Sequence, residues 1–213
     1  MQAALAIIWS SRGRIPNRQA AEYIEVVPNL HVIVASVRNE RACLPIAEWF
    51  VEAARAHGQF SVRLVDLKAI DLPLLDEPNH PSLQKYQYDH TKAWSEIVRE
   101  ADAYVFVTPE YNFGAPPALI NALDYVYREW NYKAAGFVSY GGLSGGTRSV
   151  QMTKQLVTTL KMMPMYEAVN IPFVTQFLKD GKFQSNDTHQ RAAVAMLDEL
   201  VKWTGALATL RGV

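Results

Sequence analysis

HVIVASVRNERACLPIAEWF, residues 31–50, carries the pattern from which the architecture of the chain follows. Its first six residues are mostly apolar and rich in β-branched side chains, the composition of a buried strand. Residues 37–41 (VRNER) form a polar turn. From Ala42 the spacing becomes helical, with Cys43, Ala47, Phe50 and Ala54 on one face and Gly58 as the C-terminal stop. A strand, a short turn and an amphipathic helix, in that order, open a layered α/β domain.

The same alternation continues down the chain. Residues 61–67 (SVRLVDL) read as a second strand, 104–107 (YVFV) as a third, 134–140 (AAGFVSY) as a fourth and 168–174 (AVNIPFV) as a fifth. Helices are expected over 91–101, 118–130, 147–162 and 187–210. Between them lie a long proline-containing loop at 68–90, a turn-rich loop at 108–117 and a glycine loop at 141–146. Continuous apolar strands alternating with amphipathic helices predict a three-layer α/β sandwich: a five-stranded parallel sheet with helices on both faces. The doubly wound order 2-1-3-4-5 fits five such units, and ligands then sit at the carboxyl ends of the strands.

Composition narrows the function classes. Of 213 residues, 49% are hydrophobic, and 21 basic side chains balance 21 acidic ones. That neutrality argues against nucleic-acid binding through bulk charge. No run approaches the ~18 apolar residues of a membrane span. One cysteine, Cys43, excludes an internal disulfide and a cysteine-clustered metal site, and permits a reducing, cytoplasmic location. The five histidines have no metal-ligand spacing, and no G-x-S-x-G elbow is present. Residues 1–29 carry a short apolar run followed by Arg12, Arg14 and Arg18, and are read as an extension before a domain at 30–213.

Three loops at strand carboxyl ends carry the chemistry. The first holds Ser36, Arg38 and Arg41 directly before a helix, where free N–H groups and the helix dipole favour an anion. Two arginines there suit a phosphomonoester, and the dinucleotide fingerprint G-x-G-x-x-G is absent. The second, Pro109, Glu110, Tyr111 and Asn112, offers backbone amides to the edge of a flat heterocycle, with Tyr111 and Phe113 to flank it. The third, Tyr140, Gly141 and Gly142 onward, lets a ligand approach the backbone.

On these residues, with 72–78 (LPLLDEP), 108–112 (TPEYN), 121–125 (NALDY) and 139–146 (SYGGLSGG), the chain resembles the NAD(P)H-dependent FMN reductase family, of flavodoxin-like fold, over residues 31–174. The resemblance implies bound FMN, NADPH or NADH as donor, a quinone, free flavin or similar small acceptor, and a homodimer or homotetramer. It assigns the FMN phosphate to Ser36, Arg38 and Arg41. It assigns the isoalloxazine to Pro109, Glu110, Tyr111 and Asn112 on one edge and to Tyr140, Gly141 and Gly142 on the other. No side chain is assigned as a catalytic acid or base, because the flavin carries the hydride chemistry in a two-electron ping-pong cycle. Three positions depart from the family pattern: Ala35 stands where glycine is usual, Glu40 lies in the phosphate turn, and Ile120 replaces a common lysine. The alternatives are a flavodoxin-type carrier serving a protein partner and a flavin-binding regulatory module without turnover.

Several residues have plain structural expectations. Cys43 is read as buried and inert. Asp76 and Glu77 are read as a solvated turn, with Leu72, Leu74 and Leu75 closing over the pocket, and His90 as a residue near the long loop with no role assigned at the pocket. Trp94, Tyr127, Trp130 and Tyr132 are read as a cluster near the site and a subunit boundary.

Overall fold

The computed structural model describes residues 27–212, so residues 1–26 of the expected extension lie outside the described residues. Five strands form one parallel sheet: β1 (Asn29–Val34), β2 (Ser61–Asp66), β3 (Ala103–Pro109), β4 (Ala134–Tyr140) and β5 (Met163–Ile171). Their order is β2-β1-β3-β4-β5, as expected. Register is continuous through the centre, with Leu30 opposite Ala103 and Ala103 opposite Ala134.

Strand alternation explains the two faces. Leu30, Val32 and Val34 of β1 point to one side, with Val105 and Val107 of β3. There α1 (Cys43–His57) and α6 (Asp187–Arg211) cover them through Phe50, Met196 and Leu200. Ile33, Tyr104 and Phe106 point to the other side. That face is covered by α3 (Asp89–Glu100), α4 (Pro117–Asp124) and α5 (Thr147–Thr159). Gly136 of β4 is needed for the first layer, because a Cβ there would stand 2.9 Å from Met196 Sδ.

Four elements differ from expectation. The helix expected at 118–130 ends at Asp124 and resumes only as a 3-10 turn at Arg128–Trp130, since Trp130 turns inward to stack edge-on with Trp94 at 6.0 Å. β5 starts at Met163, five residues early, because Met163 N bonds Lys133 O and so enters the ladder at once. The long loop contains a one-turn helix α2 (Leu67–Ile70) and a 3-10 turn at Pro81–Leu83. A small hairpin, β6 (Leu178–Lys179) with β7 (Lys182–Phe183), precedes α6. Among the described residues, no helix is long and apolar enough to cross a membrane, and no group of His, Cys, Asp or Glu has the makings of a metal site.

Candidate functional site

The three loops meet at the carboxyl edge of β1, β3 and β4. A cavity of about 230 Å³ there is lined by Ser36, Arg38, Arg41, Pro109, Tyr111 and Tyr140, six of the ten expected site residues, with Glu40 beside them. The phosphate turn has the properties of an anion receptor. α1 begins at Cys43 with no capping side chain and no acidic residue in its first turn, so its N-terminal N–H groups lack a protein carboxylate. Arg38 is exposed, and its guanidinium meets no partner among the described residues. Arg41 is nearly buried; one terminal nitrogen is held by Asp66 at the end of β2, while its Nε is a buried donor without a partner. A buried donor left unpaired is costly, and a phosphate oxygen is the kind of acceptor that could offset that cost. Glu40 sits exposed at a left-handed φ of 49°, on the rim of the turn. Ser36 Oγ lies 2.8 Å from Tyr111 Oη, which ties the first loop to the second.

The remaining four expected residues do not line this cavity. The carboxylate of Glu110 faces the third loop: it accepts from Ser144 Oγ at 2.9 Å, from the Arg148 backbone N–H at 3.1 Å and from Arg148 Nε at 2.7 Å. Burial alone would raise its pKa, but these bonds together hold it below the ordinary glutamate value. Glu110 thus caps α5 from outside, because Arg148 lies in that helix's first turn. Asn112 and Phe113 form the two central residues of a tight turn at φ 50° and 69°, closed by paired bonds between Tyr111 and Gly114 at 2.9 and 3.0 Å. Phe113 is 70% exposed beside Arg148 and does not flank the cavity. Gly141 donates to Ile171 O at 3.2 Å, while a Cβ on Gly142 would meet open space, so Gly142 leaves backbone approach clear. Gly146 closes the loop at φ 83°, and a Cβ there would stand 2.8 Å from Ser139 Cβ.

Other expectations are resolved by contacts. Cys43 is buried, donates to Val107 O at 3.0 Å and has its thiol pKa pushed up to about 11 by burial, the behaviour of an inert cysteine. Tyr140 is raised much further by burial and by its contact with Cys43. Asp76 and Glu77 are anchors, not a free solvated turn. Asp76 bonds His90 at 3.0 Å and Tyr125 Oη at 3.1 Å, and Glu77 accepts the backbone N–H groups of Gln87 and Tyr88. Asn121 grips the same loop through Pro73 O and Leu75 N, at 2.7 and 2.9 Å. His90 is therefore a brace for this loop. Leu72 and Leu74 border a separate groove with Val37 and Pro117, and Leu74 is 82% exposed. Trp94 and Trp130 are core residues, while Tyr127 and Tyr132 line a cavity at the opposite, amino-terminal sheet edge, away from the site.

Sequence reading passed over Asp66, Lys68, Ser144 and Arg148. Asp66 and Lys68 reach back from the end of β2 to Arg41 and Asn39. The signal available was their position, since they sit at the carboxyl end of the strand next to β1.

A doubly wound sheet of order 2-1-3-4-5 with an anion-receptive turn after β1 defines the flavodoxin-like class. Comparison with known proteins narrows this. The model of the NADPH-dependent FMN reductase family matches residues 28–176. An NAD(P)H-dependent FMN reductase of Schizosaccharomyces pombe is 41% identical over 153 residues, covering 70% of this chain and 76% of the relative. A quinone reductase of Pseudomonas putida is 29% identical over 185 residues, covering 83% and 95%. Among solved structures, the flavoenzyme NAD(P)H:(acceptor) oxidoreductase FerB of Paracoccus denitrificans superposes with a TM-score of 0.69 at 19% identity, covering 84% and 98%, a likeness of fold. The chain belongs to the NADPH-dependent FMN reductase family. Membership makes it an NAD(P)H-dependent flavin oxidoreductase with FMN as cofactor, and favours a reductase over an electron carrier.

Proposed function

We propose that the protein takes two electrons from NADPH or NADH and delivers them to a quinone, free flavin or a similar small acceptor, with donor and acceptor using the same site in turn. The observation that carries this reading is the arrangement at one sheet edge: an uncapped helix N-terminus, the exposed Arg38 and the unpaired buried Nε of Arg41, all beside the two loops from β3 and β4. The quinone reductase relative supports the acceptor class.

The fit of the residues to FMN assigns their work. Bound FMN supplies hydride chemistry at its ring. Ser36, Arg38, Arg41 and the first turn of α1 hold the phosphate ester. Backbone groups of Pro109, Glu110, Tyr111 and Asn112 border the ring on one edge, and Tyr140, Gly141 and Gly142 on the other. Glu110 acts through its side chain as a clamp between the second and third loops, which keeps both edges at a constant separation. Buried Tyr140 and half-buried Tyr111 shield the phosphate side from water. No protein acid or base is required, and none of the lining residues is poised as one.

The same reading takes residues 30–213 as one FMN-binding domain, with residues 1–29 as an extension, a cytoplasmic location and a homodimer or homotetramer. The direct test is the absorption of the purified protein. Oxidised flavin peaks near ~370 and ~450 nm are expected, bleached anaerobically by NADPH or NADH and restored by menadione. A protein whose flavin absorbance neither nucleotide bleaches would overturn the proposal.

A further inference from the structure

Arg148 enters the work assigned above only as a partner of the Glu110 clamp, yet its side chain is fixed on two sides. Its Nε donates to Glu110 at 2.7 Å, and its guanidinium carbon stands 3.8 Å from the centroid of the Phe113 ring. A planar fork clamped by a carboxylate at one edge and an aromatic ring on one face is held in a single orientation. Its two terminal nitrogens meet no acceptor among the described residues, and 47% of the side chain is exposed.

Capping α5 does not explain this geometry. The cap needs only the Arg148 backbone N–H, which Glu110 already receives at 3.1 Å, and Ser144 adds a second bond to the same carboxylate. The ring of Phe113 is not needed for it. That ring is also costly, because Phe113 holds a left-handed φ of 69°, a strained conformation for a bulky residue, and leaves 70% of its surface in water. Strain of this kind persists where the displayed group is used.

The fork stands at the rim formed by the second and third loops and does not line the phosphate cavity of Arg38 and Arg41. An anion of the bound cofactor therefore has its own receptor. On the reductase reading above, the other phosphate-bearing molecule that uses this sheet edge is the nicotinamide donor. NADPH differs from NADH by one phosphomonoester, the 2′-phosphate on the adenosine ribose. Two parallel N–H groups of a pre-oriented guanidinium match such a group bidentately.

We infer that Arg148, backed by Phe113, receives the 2′-phosphate of NADPH and sets the preference for that donor. This rests on the reductase reading above, and the tests separate the two. In calorimetry on the FMN-loaded protein, 2′,5′-ADP binds roughly tenfold or more tighter than 5′-AMP, the scale of a charge-assisted bond, and Arg148→Ala removes the difference. In turnover, Arg148→Ala lowers the NADPH-to-NADH ratio of kcat/KM by a similar factor, through KM rather than kcat. Arg148→Lys, which keeps the charge beside Glu110 but not the fork, gives an intermediate ratio and guards against a folding defect in the alanine variant. Equal affinity of the parent protein for the two adenosine phosphates overturns the inference. So does a loss in Arg148→Ala that is the same for both donors, which would assign the residue to the shared pyrophosphate or to the clamp alone. A parent protein oxidising neither donor removes the reductase reading, and the inference falls with it, whereas a calorimetric failure beside normal turnover removes the inference alone.

Discussion

Arg41 takes its orientation from a residue 25 positions away. Asp66 at the end of β2 holds one terminal nitrogen and, through its other oxygen, accepts Lys68 N at 3.0 Å. The guanidinium is thereby fixed at the wall of the cavity, with its Nε buried and unpartnered. Asp66→Asn weakens that hold without touching the ring-binding loops. The expected outcome is a loss of about 1–3 kcal/mol in FMN affinity with riboflavin affinity unchanged, read by fluorescence titration of the apoprotein. Equal losses for the two flavins would mean that Asp66 acts on the fold and not on the phosphate. At this scale the turn of Ser36, Arg38 and Arg41 could be read as a candidate anion site, because it lies between the first strand and a helix N-terminus. Asp66 was hidden, since an acidic residue ending a strand is ordinary until the neighbouring turn is seen against it.

Elements show a similar division. β1 was readable from its apolar run, but the run also contains His31, which lies 3% exposed with Nδ1 unpaired and its ring edge-on to Tyr104 at 6.4 Å. Burial, then Arg63 and Lys133, lower its pKa to about 4, against a smaller opposing effect of Asp102. The unfolded chain protonates this histidine near ~6.5, the folded one only near 4. Stability is therefore whole above the unfolded value and falls as pH drops through that window, by up to about 3 kcal/mol. Thermal melts from pH 7 to 4 are expected to show His31→Leu losing less stability than the parent, and parallel curves would refute the assignment. The ends of elements were less legible than their centres. Apolar periodicity carries through residues 118–130, yet the helix stops at Asp124 because Trp130 finds a better place beside Trp94 and Tyr104 than along the helix face. The loop at 68–90 reads in the sequence only as a long proline-containing connection, while Asn121, Tyr125 and His90 brace it with side-chain bonds that no local pattern announces.

The whole molecule leaves apolar side chains in water near the site. Leu74 is 82% exposed, Leu143 81% and Phe173 47%, all on loops at the carboxyl edge of the sheet. Exposed apolar groups gathered at one end favour a partner surface, and the proposed homodimer or homotetramer would cover them. Light scattering at micromolar concentration is expected to return a dimer or tetramer mass, and a clean monomer mass would contradict the expected assembly.

Local pattern along the chain was enough to set the layer order, the parallel sheet and the three loops that gather at its carboxyl edge, because each follows from local periodicity and from the twist-imposed handedness of strand crossovers. What the polar side chains of those loops do emerges only in the folded chain. Glu110 reads as a lining residue and serves as a clamp, Asp76 reads as solvated and serves as a brace, and Arg148 goes unmarked until Phe113 and Glu110 close on it. The reason is range: apolar pattern is written along a few consecutive residues, whereas a hydrogen bond or ion pair of this kind joins groups 34 to 49 positions apart and exists only once the sheet has brought their loops together.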